Sequence, residues 1–537
     1  MSERRYVYLV EARPVDDAGV ERPQYWSAGQ SADPRPYGDI EFVNCLMPAS
    51  SDRGGPWTYS AELALDASVG GRSVLGYGAL RLDLQHLDDF TLSTLALLHW
   101  DARALRIWRV REGSTWALTD TPMFRGTTDE PTWGITDATI PLFDRSRELD
   151  VPWLSATYAG TGTYEGQSDI KGQRKPRVLG RVLHCEPIAL DHAAPDAGGS
   201  PFARVAQVSD LTIKSNGLSV YERGVAFADA SIHAVSDVYT WTPIAGHVAV
   251  DVGRGVLRFG SAPVGVCTVV VDADEVDSTH VGLLALVILT ADDGKYSSAD
   301  FDAAALAALQ SYYPSLAGIY VNDDRTVAAV CDALAQSIGS AWKFTPAGLF
   351  TVRQIGFRTS VMTLTADDLL DDPQVVTLPP PVWRYEFGAA PCERVLNDSD
   401  IGDAAVPSTV RTFITSATRA QVTEVATVKD VRPLARESVV QSRFIDTTFA
   451  AIEGSRQHNL LRRNRRQYVI TVNRPFGSIR EGDTVTWSYP GFGLDDGADF
   501  LVRAVDWRPG FFDDEDEVSL TLWGPFEVGK ESRVTTP

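Results

Sequence analysis

Near the C-terminus three apolar runs alternate with polar residues at the two-residue period of a strand. They are Thr484-Val485-Thr486-Trp487-Ser488-Tyr489, Phe500-Leu501-Val502-Arg503-Ala504-Val505 and Val518-Ser519-Leu520-Thr521-Leu522-Trp523. This period places alternate side chains on one face of a pleat, so each run asks for a common apolar core on that face. Turn-forming Pro490-Gly491-Phe492-Gly493 and the acidic run Asp513 to Glu517 separate them. Tyr468-Val469-Ile470-Thr471-Val472 supplies a further strand upstream. A group of short strands with one buried face reads as a small barrel, begun at Tyr468 and closed at Trp523.

The chain has 537 residues, which predicts three or four domains at roughly 100–200 residues each. A hydrophobic share of 44% is enough for several cores. The formal charge of -22 argues against a general nucleic-acid coat, because phosphate binding needs clustered Lys and Arg. It does not exclude a lumen through which DNA passes, because an acidic wall would repel DNA and let it slide without sticking. The five cysteines, Cys45, Cys185, Cys267, Cys331 and Cys392, are far apart. They give no zinc or iron–sulfur spacing and read as buried free thiols in a reducing cytosol. The start Met1-Ser2-Glu3-Arg4-Arg5-Tyr6-Val7 lacks a signal-peptide core. The longest apolar run, Val281 to Leu289, is far short of the roughly 20 residues of a membrane helix. Synthesis in a cytoplasm without stable membrane insertion is expected.

Along the chain the pattern predicts a mainly β, multidomain protein. Residues 1–58 read as an N-terminal strand, Tyr6 to Ala12, followed by an extended arm rich in Pro, Gly, Asp and Ser. Residues 59–200 read as a first β-barrel with a Gly-rich loop at 159–180. Within it, Leu105 to Val110 is expected to pair with Met123 to Gly126. Residues 201–280 form a β middle domain, with a strand at Leu211 to Lys214 and a pair formed by Gly255 to Gly260 and Gly265 to Val271. Residues 281–390 read as a small α+β insert. Ser298 is expected to cap one helix and Asp324 or Thr326 a second, before a hairpin of Trp342 to Phe344 against Leu349 to Val352. Residues 391–537 hold one long helix, about Val439 to Arg465, and the second barrel.

The search for chemistry finds no catalytic, cofactor-binding or metal-binding set. No G-x-S-x-G elbow, H-E-x-x-H or P-loop occurs. The histidines His86, His99, His184, His192, His233, His247, His280 and His458 are scattered. His184 and Cys185 are strand neighbours and should face opposite ways. Gly160, Gly162 and Gly166 only approach a dinucleotide fingerprint, with no helix following, and read as a flexible loop or inter-subunit arm. Asp129 with Glu130, or Glu481 with Asp483, are the carboxylate pairs a glycosidase would need, but 71 acidic residues make such pairs inevitable. Asp513 to Glu517 and Asp272 to Asp277 are solvated acids or, alternatively, weak calcium sites. Arg456, Arg462, Arg463, Arg465 and Arg466 complement a helix C-terminus or an acidic neighbouring subunit, or face DNA.

Four segments in consistent order give the chain a resemblance to the tail-tip, or baseplate-hub, proteins of long-tailed bacteriophages and gene-transfer particles. They are Phe124-Arg125-Gly126-Thr127; Gly166, Asp169-Ile170-Lys171-Gly172 and Lys175-Pro176 to Gly180; Gly255 to Phe259 with Pro263 and Gly265, then Trp342-x-Phe344 and Gly348-x-Phe350; and the closing helix and barrel with Leu522-Trp523-Gly524. The resemblance implies a non-enzymatic structural protein with two hub-type barrels per subunit and no cofactor. It implies a homotrimeric ring at the virion tail tip that closes the tail tube. The implied partners are the distal tail ring protein, the C-terminus of the tape-measure protein, and tail fibres or receptor-binding proteins, with DNA only in transit. The alternatives from other classes are a receptor-binding tail-tip module and a tail-associated cell-wall hydrolase.

Overall fold

The computed structural model describes residues 5–28, 35–37, 40–49, 55–65, 69–87, 89–192, 203–216, 218–402, 406–512 and 516–525. Strand makes up 41% and helix 19%, so the fold is mainly β, as the alternating pattern predicts. The largest sheet runs in the order Arg35–Tyr37, Ile40–Asn44, Gln24–Ala28, Tyr6–Ala12, Ala104–Arg111, Phe124–Thr128, Asp137–Phe143, Ala79–Asp83 and Leu46–Met47. The expected hairpin is present, with Leu105 opposite Gly126 and Ile107 opposite Phe124. Part of the stretch expected as an extended arm, residues 24–28, 35–37, 40–44 and 46–47, is instead built into this sheet. Gln24–Ala28 pairs antiparallel with Tyr6–Ala12, and Ile40–Asn44 pairs parallel with Gln24–Ala28. Trp26, Ala28 and Phe42 supply the reason, since all three are buried. Runs this short, set among Pro and Gly, are too brief to show a period of two.

The second large sheet holds the C-terminal strands in the order Met362–Leu364, Thr484–Tyr489, Leu494–Arg508, Glu517–Pro525, Arg465–Asn473 and Gln374–Val376. Each of the three opening runs is a strand here. Tyr59–Glu62, expected to open the first barrel, pairs instead with Leu494–Arg508, placing Tyr59 opposite Trp507 and Ala61 opposite Val505. Both sheets are curled and feed one continuous core. Trp26, Trp57, Trp100 and Phe124 from the N-terminal part join Tyr468, Trp487, Phe500 and Trp507 from the C-terminal part. Direct ring contacts cross the boundary, with Trp57 and Phe476 meeting at 5.5 Å between centroids.

In the middle segment the structure separates an expected pair. Val256–Phe259 lies between Val248–Asp251 and Ala203–Gln207. Cys267–Asp272 lies in another sheet, between Arg177–Cys185 and Ser219–Glu222. Leu257, Phe259, Val269 and Val271 still meet, because the two sheets face one core. The expected strand at Leu211 to Lys214 is reduced to a single bridge, Ile213 opposite Ala273.

Within the expected insert, the second helix and the hairpin follow their sequence signals, while Met362–Leu364 and Gln374–Val376 belong to the C-terminal sheet and Val382–Ala389 pairs with Arg419–Glu424 and Arg436–Gln441. Helix Val327–Ser337 is capped by Thr326, whose side chain accepts from the Ala329 amide. Ser340–Phe344 and Phe350–Gln354 form the hairpin, with Trp342 opposite Val352. Ser298 opens only a 3-10 turn; the helix Ala303–Tyr312 starts after it and is capped by Asp302. The apolar run at 281–289 is helix His280–Leu289, packed into a core that also takes residues such as Leu63, Trp153, Phe444 and Leu460. Among the described residues no helix is long and apolar enough to cross a membrane.

The long helix is shorter than its sequence pattern suggests. Arg436–Gln441 is a strand, parallel to Val382–Ala389, and the helix is Thr447–Leu461. The β-branched pair Val439-Val440 extends a sheet that Val382–Ala389 already offers. Asp446 then starts the helix by accepting from the Thr448 amide.

Candidate functional site

The acids singled out in the sequence turn out to be fasteners between parts of the chain. Glu481 is buried and ion-pairs with Lys343. The Lys343 ammonium also donates to the Tyr59 hydroxyl at 3.0 Å. Asp483 accepts from Arg353 Nη2 at 2.6 Å and from the Arg480 amide at 2.7 Å. This pair therefore ties the insert hairpin to the C-terminal sheet. Asp129 accepts from Arg147 at 2.9 Å, and Glu130 accepts from the Trp100 amide at 3.1 Å. Each of these four carboxylates is thus engaged by a cation or a backbone amide of the chain.

Of the acidic run 513–517, residues 513–515 lie outside the described residues. Asp516 is buried and receives both terminal nitrogens of Arg109 at 2.7 Å. It also accepts from the amides of Gly510 at 2.8 Å and Phe476 at 3.0 Å. Glu517 accepts from Arg508 at 3.3 Å within the C-terminal sheet, whereas the Asp516 contacts join the two large sheets. In the run 272–277, Glu275 accepts from the Gly180 amide and Asp277 from the Thr279 amide. Among the described residues no cluster of His, Cys, Asp or Glu has a geometry that could hold a metal ion.

His184 and Cys185 are both buried, because a bulge between Val182 and Cys185 interrupts the alternation. His184 adopts φ +50° at this bulge. They still do not partner: His184 Nδ1 meets Thr268 Oγ1 at 3.1 Å, and the Cys185 thiol donates to the Val269 carbonyl at 3.4 Å. Burial lowers the His184 imidazole to about 4 and pushes the Cys185 thiol up. Such a pair favours neither a thiolate nor an imidazolium, the two species a Cys–His nucleophile uses.

The Gly-rich loop is fastened to its own chain. It makes two 3-10 turns, Thr163–Glu165 and Ser168–Ile170, before entering strand Arg177–Cys185. Lys175 binds Glu165 at 2.7 Å and Arg174 binds Asp324 at 2.8 Å.

The basic cluster divides into different roles. Arg456 is bound to Glu453 at 2.7 Å and donates to the Ile355 carbonyl at 2.7 Å. Burial alone would lower its pKa, yet the Glu453 carboxylate holds it above the usual range. Gln457 and Tyr313 complete this network, both hydrogen-bonding to Glu453. Arg462 donates to Asn459 at the helix end. Arg465 lies over the Phe357 and Trp523 rings, 4.8 and 4.5 Å from their centroids. Glu453, which sequence reasoning passed over, is legible as the partner three residues before Arg456 on one helix face.

Comparisons with known proteins add the following. No protein-family profile and no curated protein matches the chain. Solved structures of tail proteins do overlay on it. The tail protein from Neisseria meningitidis MC58 covers 96% of this chain over 96% of its own, at 10% identity and a TM-score of 0.38. Prophage tail protein gp18 from Listeria monocytogenes EGD-e covers 96% over 94% of its own, at 6% identity and 0.39. A chain of the virion of a native gene transfer agent particle covers 67% over 87% of its own, at 14% identity and 0.37.

Proposed function

We propose that this chain is a structural subunit of a phage tail tip, a baseplate-hub protein acting by assembly and without catalysis. The observation that carries the reading is the pair of curled sheets, one from each end of the chain, sharing one core. Two barrel-like modules per subunit let three copies present six similar modules to a sixfold tail tube. The order of the four sequence motifs supports the same reading. So do Glu481, Asp483 and Asp516, which tie distant segments of the chain together. In this reading the homotrimer closes the tube at the virion tail tip. It meets the distal ring protein and the tape-measure C-terminus on its upper and inner sides and fibres or receptor-binding proteins below. The acidic balance of the chain lets DNA pass in transit. Negative-stain images of the purified protein test this: threefold rings with six peripheral modules are expected, and single compact particles under all conditions would overturn it.

A further inference from the structure

Large apolar side chains stand exposed together where the end of helix Ala303–Tyr312 meets helix Thr447–Leu461. Tyr312 and Leu316 come from the first side and Phe449 and Ile452 from the second, and they are between 37% and 65% exposed. Hydrogen bonds hold the two sides together. The Ile445 amide donates to the Leu316 carbonyl at 3.2 Å, and the Tyr313 hydroxyl donates to Glu453 at 3.0 Å. Phe449 and Ile452 are three residues apart and share one helix face, beside the Glu453 and Arg456 that anchor the helix here. Arg456 donates to the Ile355 carbonyl at 2.7 Å, which brings the 355–358 turn and its exposed Arg358 to the same junction.

Arg358 is short of counter-charge. Its guanidinium donates to the Gln354 carbonyl at 3.3 Å and makes no ion pair among the described residues. Partial burial, and then the like charge of Arg353, lower its pKa, and Tyr312 is close enough to act on the same charge. Grouped apolar side chains on a surface mark an interaction site, and aromatic rings beside an arginine are the residue types that anchor protein interfaces.

The same chain carries an apolar surface of opposite charge. Strand Gln374–Val376 is an outer strand of the C-terminal sheet, and all three of its residues are exposed. Leu370, Val375 and Val376 are between 38% and 46% exposed. Asp371 and Asp372 lie between them in the chain, both exposed, and neither carboxylate makes an ion pair or hydrogen bond among the described residues. An outer strand with apolar residues open to water invites another chain. Pro373 and Pro379 flank it and lack N–H groups, which disfavours addition of a further strand and leaves the side chains to make the contact.

We propose that these two surfaces meet between copies of this chain. The Tyr312, Leu316, Phe449 and Ile452 surface of one copy covers the Leu370, Val375 and Val376 surface of the next, and Arg358 pairs with Asp371 and Asp372. Unmatched charge of opposite sign beside two apolar surfaces of one chain names a second copy as the occupant. Because the two surfaces differ, the contact is head-to-tail, and each copy has one of each to offer to further copies. The inference rests on the ring reading only for the number of copies.

The test is sedimentation velocity of the full chain across a concentration series, with circular dichroism to confirm that each variant is folded. The wild-type chain is expected to self-associate. Ile452→Asp, Arg358→Asp, and Asp371→Arg with Asp372→Arg are each expected to weaken association by about tenfold or more. A chain carrying Arg358→Asp, Asp371→Arg and Asp372→Arg together restores opposite charge across the contact and is expected to regain most of the association. A wild-type chain that stays monomeric would give these surfaces to a different occupant and overturn the proposal. Association that ignores Ile452→Asp, or charge variants without recovery in the combined chain, would also overturn it and leave the ring reading standing on other surfaces. Association that responds to all the variants as expected but stops at two copies would uphold the contact and remove the threefold ring.

Discussion

Buried charge in this chain is arranged in pairs, and several pairs join segments far apart in sequence: Arg109 with Asp516, Arg145 with Asp300, Lys343 with Glu481. Removing one member of such a pair leaves an uncompensated buried charge, which costs about 3–5 kcal/mol, whereas replacing both by apolar residues of similar size is often nearly neutral. Glu453→Ala is therefore expected to lower the urea midpoint sharply. The double variant Glu453→Leu with Arg456→Met should cost much less than the single substitution, and a double variant as unstable as the single one would contradict this account. A second residue-scale expectation concerns pH. His280 is fully buried against Phe444, ring centroids 4.3 Å apart, and burial lowers its pKa to about 3. The folded value lies below the unfolded one of about 6.5, so between them the unfolded chain takes up a proton that the folded chain does not. Stability from this group is complete above pH 6.5 and is lost as pH falls below it, by about 2–3 kcal/mol at pH 4.5. His184, lowered to about 4, acts in the same direction. Unfolding midpoints measured from pH 7.5 to 4.5 should fall, and His280→Leu should flatten the fall.

At the scale of elements, the signals that came through in the sequence are the local ones. The alternating runs at 484–489 and 518–523, the Thr326 cap and the 340–354 hairpin each follow from residues within a few positions of one another. What did not come through depends on partners distant in sequence. Gln24–Ala28 is a strand because Tyr6–Ala12 offers an edge. Arg436–Gln441 joins a sheet with Val382–Ala389 where its own pattern suggested helix, and the two runs flanking Pro263 pair with other strands. Gly180 shows the same dependence. Its φ is +65°, and a Cβ there would overlap the Ala317 carbonyl where its strand meets Gly318–Val321. Gly180→Ala is expected to destabilise by on the order of 3 kcal/mol. Limited proteolysis should then find new cleavage within residues 281–355, and an unchanged digestion pattern with an unchanged melting midpoint would contradict it.

For the whole molecule, the sequence marked Glu481, Asp483 and Asp516 as acids of interest, but their meaning depends on Lys343, Arg353 and Arg109, which are 138, 130 and 407 positions away. A reading by spacing within a short window cannot supply such partners, so these acids looked like candidate chemistry or solvated surface. With the partners in place they are ties between barrel-like modules and insert. A peptidoglycan zymogram of the purified chain is accordingly expected to show no clearing. A cleared band lost in one acidic substitution would replace the structural reading with an enzymatic one. The most direct measurement of the central claim is the native mass of the full-length protein, by native mass spectrometry across a concentration series. The account predicts a species of three times the chain mass that grows with concentration. A strict monomer, unchanged at the highest concentration and in the presence of the tube-end ring protein, would contradict it.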